Sequence, residues 1–219
     1  MIIDKIVKHF ANLNNIKINI NFNQEIIISI TETENLIILL NYLKTEPELQ
    51  FEQLIDLCAI DYLHYGVTEW STESATINGF NKFINKNNID LKKNITHRFA
   101  IIYNLLSLSL NHRIRVKCLI PESNLTVPSV ISIWPSANWY EREAFDLFGI
   151  YFSNHPDLRR ILTDYNCNDH PFRKDYPLGG DLEVRFDAKT QKVIYEPTEL
   201  TTMVSVPKVI RKGNIHEQS

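Results

Sequence analysis

The chain has 219 residues, 44% hydrophobic and 22% charged, with a formal net charge of −3 and a pI near 6.2. This composition is globular, with length enough for one good core and an appendage. There is no global basic field to draw the chain to phosphate backbones or anionic lipid, so nucleic acid is not an expected partner.

Asp4 and Lys5 interrupt "MIIDKIVKHF" where a signal peptide needs an apolar run, and the stretch lacks the acid-free, Arg-rich character of a transit peptide. The expectation is a chain that stays where it is made. Ile2 or Ile3, Ile6, Phe10 and Leu13 recur at helical spacing and predict a short amphipathic helix. "IKINI" and "EIIISI", separated by "NFNQ", read as two strands of a hairpin. In "TETENLIILLNYLK" Thr31 and Glu34 have the spacing of a capping box, and Pro47 marks the end of that helix. Phe51, Leu54, Ile55 and Cys58 of "FEQLIDLCAIDYL" share a helical face, predicting a second helix or a helix-to-strand transition.

From Tyr65 to Thr96 the chain turns polar, an irregular insertion or long loop. "RFAIIYNLLSL" and "RIRVKCLI" are the strongest strand signals, joined by a turn around "NHR". Arg113, Arg115 and Lys117 alternate with Ile114, Val116 and Cys118, giving one basic and one buried face. The basic face is either solvated or in contact with an acidic partner. The most apolar stretches, "NLIILLNYL" and "FAIIYNLLSLSL", fall short of the roughly 20 residues that span a bilayer, so any membrane link runs through a partner. "NCNDHPFRKDYPLGGD" is too rich in Pro, Gly and Asp to be one regular element. "LEVRFD" and "KVIYEP" suit a last small hairpin. Beyond Pro197 large apolar residues are too few to close a core, so that tail is either disordered or ordered only against another chain.

The densest chemistry lies in "ANWYEREAFDLFGIYFSNHPDLRRIL". Asn138 as N-cap and Glu141 three residues on predict a helix from Trp139 to Phe148, with Gly149 as a left-handed stop. Arg142 and Asp146 stand four apart, the spacing of a helical ion pair. Glu141 and Glu143, two apart, point about 200° from each other and cannot share one substrate atom. His155, Asp157, Asp169 and His170 are available metal ligands but show no HxxxH or HExxH spacing. The cysteines Cys58, Cys118 and Cys167 form no CxxC pair, and no P-loop, nucleophile elbow or GxGxxG is present. What remains is a run of Arg, Trp, Tyr and Phe, the composition of interface anchors, which favours a docking subunit.

"YEREAFDLFGIYFSNHPDLRRIL" followed by "HPFRKDYPL" strongly resembles the C subunit of the proton-pumping NADH:quinone oxidoreductase, respiratory complex I. The resemblance runs upstream through "FEQLIDLCAIDY", "RFAIIYNLLSL" and "RIRVK" and downstream through "VIYEP", from roughly Phe51 to Pro197. It implies an α+β, two-layer domain with a mainly antiparallel sheet packed by helices, over residues 1–180. A small hairpin and an extended, partner-wrapping tail follow over residues 181–219.

The resemblance also implies a noncatalytic structural and assembly subunit of the hydrophilic arm, supporting electron transfer from NADH to ubiquinone coupled to proton translocation. No cofactor is expected in this chain; FMN and iron–sulfur clusters belong to partner subunits. The implied neighbours are the D, B and I subunits of complex I. The implied location is the cytoplasmic face of a bacterial inner membrane, with the matrix face of the mitochondrial inner membrane as the alternative. Glu141, Arg142, Glu143, Asp146, His155, Arg159, Arg160, His170, Arg173, Lys174 and Asp175 occupy the signature positions and are assigned to the partner interface. Arg159, Arg160, Arg173 and Lys174 repel one another unless neutralised, so partner carboxylates are expected against them, the other reading being a solvated basic patch. Two other functions stay open: the equivalent subunit of a membrane hydrogenase or ferredoxin-linked complex, and an autonomous soluble enzyme.

Overall fold

Alternation of buried and exposed residues along a few strands sets the architecture of the computed structural model. The structure describes residues 6, 16–20, 26–63, 65, 70–71, 75–76, 79–80, 83–84, 97–165, 168–176 and 182–197. The chain divides into two units, Met1–Leu63 with Ile95–Tyr176, and His64–Asn94 with Pro177–Ser219.

The first unit is built on a five-stranded sheet of β1 (Ile16–Ile20), β2 (Ile26–Ile30), β3 (Gln53–Asp61), β4 (Phe99–Ser107) and β5 (His112–Ile120). Their spatial order is β1-β2-β5-β4-β3, antiparallel except for the parallel β2–β5 pair. The expected hairpin of "IKINI" with "EIIISI" forms, with Lys17 opposite Ser29. β4 and β5 pair in full, from Phe99 opposite Ile120 to Ser107 opposite His112. The turn between them includes Asn111 in the left-handed region, φ 53°, a conformation asparagine tolerates better than most residues.

β3 corrects the reading of "FEQLIDLCAIDYL" as a second helix or a transition: residues 53–61 are strand throughout. A bulge between Leu54 and Asp56 explains the misleading pattern. It turns two successive residues to one side and breaks the period-2 signal, so Leu54, Ile55 and Cys58 mimic helical spacing. β3 is an edge strand, and two carbonyls at its start accept side-chain donors. The Trp134 indole donates to the Glu52 carbonyl at 3.1 Å and the Tyr140 hydroxyl to the Ile55 carbonyl at 3.1 Å, which blocks further strand pairing there.

Two helices of this unit are described along their length: α1 (Glu34–Thr45) and α2 (Ala137–Phe148). α1 buries Leu36, Leu39, Leu40 and Leu43, each contributing about 2 kcal/mol by leaving water. Its N-cap is Thr33, without a side-chain cap bond, and Glu32 accepts from Asn35 at 2.9 Å; the Thr31–Glu34 capping box does not form. Glu46 turns extended after the last helical residue, as a residue before proline must. The leucines meet Ile28, Ile30, Leu57, Ile101, Tyr103, Val116 and Cys118 in one core. Ile6 is helical and fully buried in it; the rest of the helix expected over residues 2–13 lies outside the described residues. A short parallel pair, β6 (Thr126–Pro128) with β7 (Tyr151–Ser153), brackets α2.

In the second unit the expected hairpin is present as β8 (Leu182–Asp187) and β9 (Lys192–Pro197). Asp187 accepts the Lys189 and Thr190 N–H groups in its turn. Val184 opposes Tyr195 and Phe186 opposes Val193, so these four share one face, and all four are exposed. Residues 70–71 pair with 83–84 and residues 75–76 with 79–80 within the stretch read as irregular. The tail beyond Pro197 lies outside the described residues.

Together these elements are an α+β arrangement with a mainly antiparallel five-stranded sheet.

Candidate partner interface

α2 ends where glycine is needed. Gly149 has φ 72° and its N–H bonds to the Phe145 carbonyl at 2.9 Å, the left-handed stop expected from sequence. A Cβ there would stand 2.5 Å from Arg173 Nη2 and from His170 Nε2, so the position excludes side chains by contact as well as by conformation.

That crowding follows from hydrogen bonding, because a helix leaves its last four carbonyls without intrahelical donors. Phe145 is served by Gly149. His170 Nδ1–H donates to the Asp146 carbonyl at 2.9 Å, the Phe172 N–H to Leu147 at 3.1 Å, and Arg173 Nε to Phe148 at 2.7 Å. The "HPFRK" loop is thus the C-terminal cap of α2, and a cation at this negative helix end is favourable. Burial, outweighing the bond to Asp146, lowers the His170 pKa and keeps its ring neutral.

Asp146 organises the other loop. Its Oδ2 accepts the backbone N–H groups of Ile161, Leu162 and Thr163 at 3.0, 2.7 and 2.9 Å. Its Oδ1 accepts from Arg160 Nη1 at 2.9 Å and from the Thr163 hydroxyl. Successive N–H groups make a concavity for an anion, here filled by the chain's own carboxylate. Burial pushes this acid up, but the bonds from Thr163, Leu162 and Ile161 win and hold it well below the usual carboxylate range. The expected Arg142–Asp146 pair is therefore replaced. Arg142 donates to the Arg159 and Arg160 carbonyls at 3.0 and 3.2 Å, so both residues of that helical face reach the same loop.

Glu141 does not close a capping box either, and the N-cap position is Ser136 instead of Asn138. Its fully buried carboxylate accepts from the Ser129 hydroxyl at 2.6 Å and the Val130 N–H at 2.7 Å, tying the segment before α2 to the helix. Burial pushes it up to about 7 in spite of those bonds. His155, its imidazole also buried, has Nε2 3.9 Å from Glu141 Oε2 and donates to the Asn138 carbonyl. Its Nδ1 accepts the Asp157 N–H at 3.0 Å, which identifies the Nε2–H tautomer.

Sequence reasoning missed the residue that clips this assembly to the sheet. Arg98, 3% exposed, donates to both oxygens of Asp61 at 3.0 and 2.8 Å and to both oxygens of Asp175 at 2.8 and 3.0 Å. It also reaches Glu122 at 2.8 Å. Asp61 in turn accepts the Lys174 N–H at 2.9 Å. Arg98 and Arg173 both stack on the Phe99 ring. Burial of Asp61 is outweighed by its bonds to Arg98, Lys174 and Leu63, and its pKa is lowered. The available signal is an arginine directly before an almost wholly apolar strand, a place where a cation requires carboxylate partners.

The structure thus brings together Glu141, Arg142, Asp146, His155, Arg160, His170, Arg173 and Asp175 within the chain itself; Asp175 is exposed in spite of its bonds to Arg98, as are Glu143, Arg159 and Lys174. Of the four cations expected against partner carboxylates, Arg160 pairs with Asp146 and Arg159 with Asp157 at 2.7 Å, while Arg173 donates to the Phe148 carbonyl. Glu141 is buried and Glu143 exposed, so the two do not converge. Among the described residues no three of His, Cys, Asp and Glu are grouped as metal ligands. Beside those charges the fastened loops hold large apolar side chains outward: Leu162 at 62%, Tyr165 at 71% and Phe172 at 57% exposure, with Trp139 of α2 at 67%.

Buried Glu141, Asp146 and Arg98 fasten the loops of an α+β domain that turns Leu162, Tyr165 and Phe172 outward. Residues 29–182 match the family described as respiratory-chain NADH dehydrogenase, 30 Kd subunit. The chain is 53% identical over 183 residues to the C subunit of NADH-quinone oxidoreductase from Legionella pneumophila (strain Corby), covering 84% of this chain and 81% of that one. It is 50% identical over 180 residues to the protein of the same name from Coxiella burnetii (strain Dugway 5J108-111), covering 80% and 78%. Among solved structures, a trypsin-resistant fragment (1-134) of Nqo5 superposes with TM-score 0.52 at 26% identity, covering 72% of this chain and all of the fragment. A chain of an archaeal membrane-bound sulfane sulfur reductase shares the fold, with TM-score 0.54, 19% identity and coverage of 81% and 87%. The chain belongs to the family of the 30 kDa subunit of respiratory-chain NADH dehydrogenase.

Proposed function

We propose that this chain is the 30 kDa, or C, component of an NADH:quinone oxidoreductase, a docking subunit of its hydrophilic arm. In this reading it supports electron transfer from NADH through FMN and iron–sulfur clusters, carried by other subunits, to ubiquinone, coupled to proton translocation. It holds no cofactor and performs no chemistry of its own. Its neighbours are the D, B and I subunits, and it sits peripherally at the cytoplasmic face of the membrane. No helix among the described residues is long and apolar enough to cross a bilayer, so attachment through the complex is consistent with that placement.

The observation that carries the reading is the division of labour in the signature. Asp146 and Arg160 fix one loop and His170 and Arg173 the other, and the loops turn Leu162, Tyr165 and Phe172 to solvent. Large apolar side chains on a rigid frame are the composition of an interface hot spot. The exposed face of the β8–β9 hairpin supports the same reading, since a lone two-stranded ribbon is marginal in water.

Affinity capture of the tagged chain from gently solubilised native membranes tests the proposal. It predicts co-recovery of the B, D and I subunits with the flavin-bearing module and NADH–quinone activity in the eluate. A hydrogenase-type large subunit without that module would assign the chain to a related machine, and recovery of the chain alone would refute a docking role.

A further inference from the structure

The sheet of the first unit has a second face, turned away from the core. Strand register aligns Lys17, Ser29, Lys117, Ile102 and Cys58 in one cross-strand row. Asn19, Ile27, Arg115, Asn104 and Asp56 form the next, and Arg113 pairs with Leu106 in the row after that. Lys17 and Arg113 are exposed and Arg115 and Lys117 half-buried, whereas Ile114, Val116 and Cys118, which alternate with them, are buried. The cations are held in place: Arg115 Nε donates to Asn104 at 3.0 Å and Lys117 lies over the Tyr62 ring at 4.4 Å. A groove of about 300 Å³ opens beside them, with Ile26, Ile55 and Leu105 in its lining and Arg113, Arg115 and Asp56 among its polar groups.

We propose that this face is a second docking surface, distinct from the loops around α2, and that it receives an acidic, apolar-striped segment of another protein chain. Among the described residues the rows bring four cations, Lys17, Arg113, Arg115 and Lys117, near the carboxylate of Asp56, and Glu143 of α2 acts on Cys58 in the row of Lys117. This concentration of positive charge stands on a chain whose net charge is −3. Opposite charge is thus the complement the face selects, and complementarity of this kind sets partner choice and register. Ile27, Ile102 and Leu106, each half-buried, lie between the cations, so the complement also carries aliphatic residues. Successive cations on β5 stand about 7 Å apart, which matches acids two apart in an extended segment or four apart on a helix. Nucleic acid fits less well, because the apolar positions in these rows are aliphatic and the Tyr62 ring beside them is already covered by Lys117.

The two lysines allow a direct test in the assembled native complex. A carbodiimide activates a carboxyl, which a lysine amine then attacks, forming an amide and releasing the urea. The proposal predicts that Lys117 or Lys17 couples to Asp or Glu of a different protein. It also predicts that acetic anhydride modifies Lys117 at least about fivefold more slowly in the complex than in the isolated chain. Arg113→Glu with Arg115→Glu should lower incorporation of the chain about tenfold, and Arg113→Lys with Arg115→Lys should restore it. Equal acetylation of Lys117 in both states with no interchain amide would overturn the proposal. So would coupling to a second copy of this chain, or Lys117 protection that nuclease or delipidation abolishes.

Discussion

Asp146 Oδ2 receives the Leu162 N–H at 2.7 Å, so a carboxylate in the last turn of α2 fixes the backbone of a residue whose side chain is 62% exposed. The buried acid and the outward leucine are two ends of one device. Asp146→Asn puts an amide donor among three N–H groups and should cost about 3 kcal/mol of stability. The sign of the pH dependence follows from the lowered pKa of Asp146. Its contribution is present above the ordinary carboxylate value and is lost as pH falls from there through the lowered pKa. Urea unfolding of both proteins should therefore show a full difference at pH 7 that narrows below about pH 4.

Gly149 offers a sharper steric test. Gly149→Ala meets both an unfavourable left-handed backbone and the Arg173 and His170 side chains, and we expect a loss of about 3 kcal/mol, read as a lower thermal midpoint. Asparagine tolerates the backbone conformation but still carries a Cβ, so Gly149→Asn should rescue little. Full rescue by asparagine would mean that the contact with the capping loop is unimportant.

Glu141 predicts the opposite pH dependence. Burial raises its pKa to about 7, so the folded state binds its proton more tightly than the unfolded chain. The contribution is complete below the unfolded value near 4.3 and is lost as pH rises through 7, by about 4 kcal/mol at most. Glu141→Gln should flatten stability between pH 5 and pH 8 and leave the variant the more stable of the two at pH 8. A parallel pair of pH–stability curves would show that burial does not penalise this carboxylate.

Arg98 joins three carboxylates at the start of β4. Arg98→Met strands the buried Asp61 and should cost about 3–5 kcal/mol. If loss of that partner is the cause, adding Asp61→Asn should recover part of the loss, a nonadditivity that paired unfolding curves measure directly.

Legibility in the sequence follows physical range. β1 and β5 are readable because Ile18 and Val116 sit in period-2 patterns that the pleat imposes locally, and β2 and β4 because Ile28 and Tyr103 sit in short, bounded runs of β-branched and aromatic residues. The stop at Gly149 is equally local. β3 is obscured by its bulge, which places Ile55 and Asp56 in succession and produces a helical spacing. Spacing alone pairs Glu141 and Asp146 with near neighbours, Asn138 and Arg142. Their actual partners, Ser129 and Leu162, come from other loops, because a buried carboxylate takes whichever donors the fold delivers. Arg98 lies 77 residues from Asp175, and nothing in local spacing reports such a meeting.

The most direct test of the central claim is NADH–quinone turnover counted per assembled complex in membranes carrying Leu162→Asp with Tyr165→Asp. Both side chains are exposed in the free chain, so the variant should fold, and its thermal midpoint should match the parent. A docking subunit without chemistry of its own predicts several-fold fewer assembled complexes, each with parental turnover. Parental amounts of complex with turnover abolished would contradict the account and place this surface in the reaction itself.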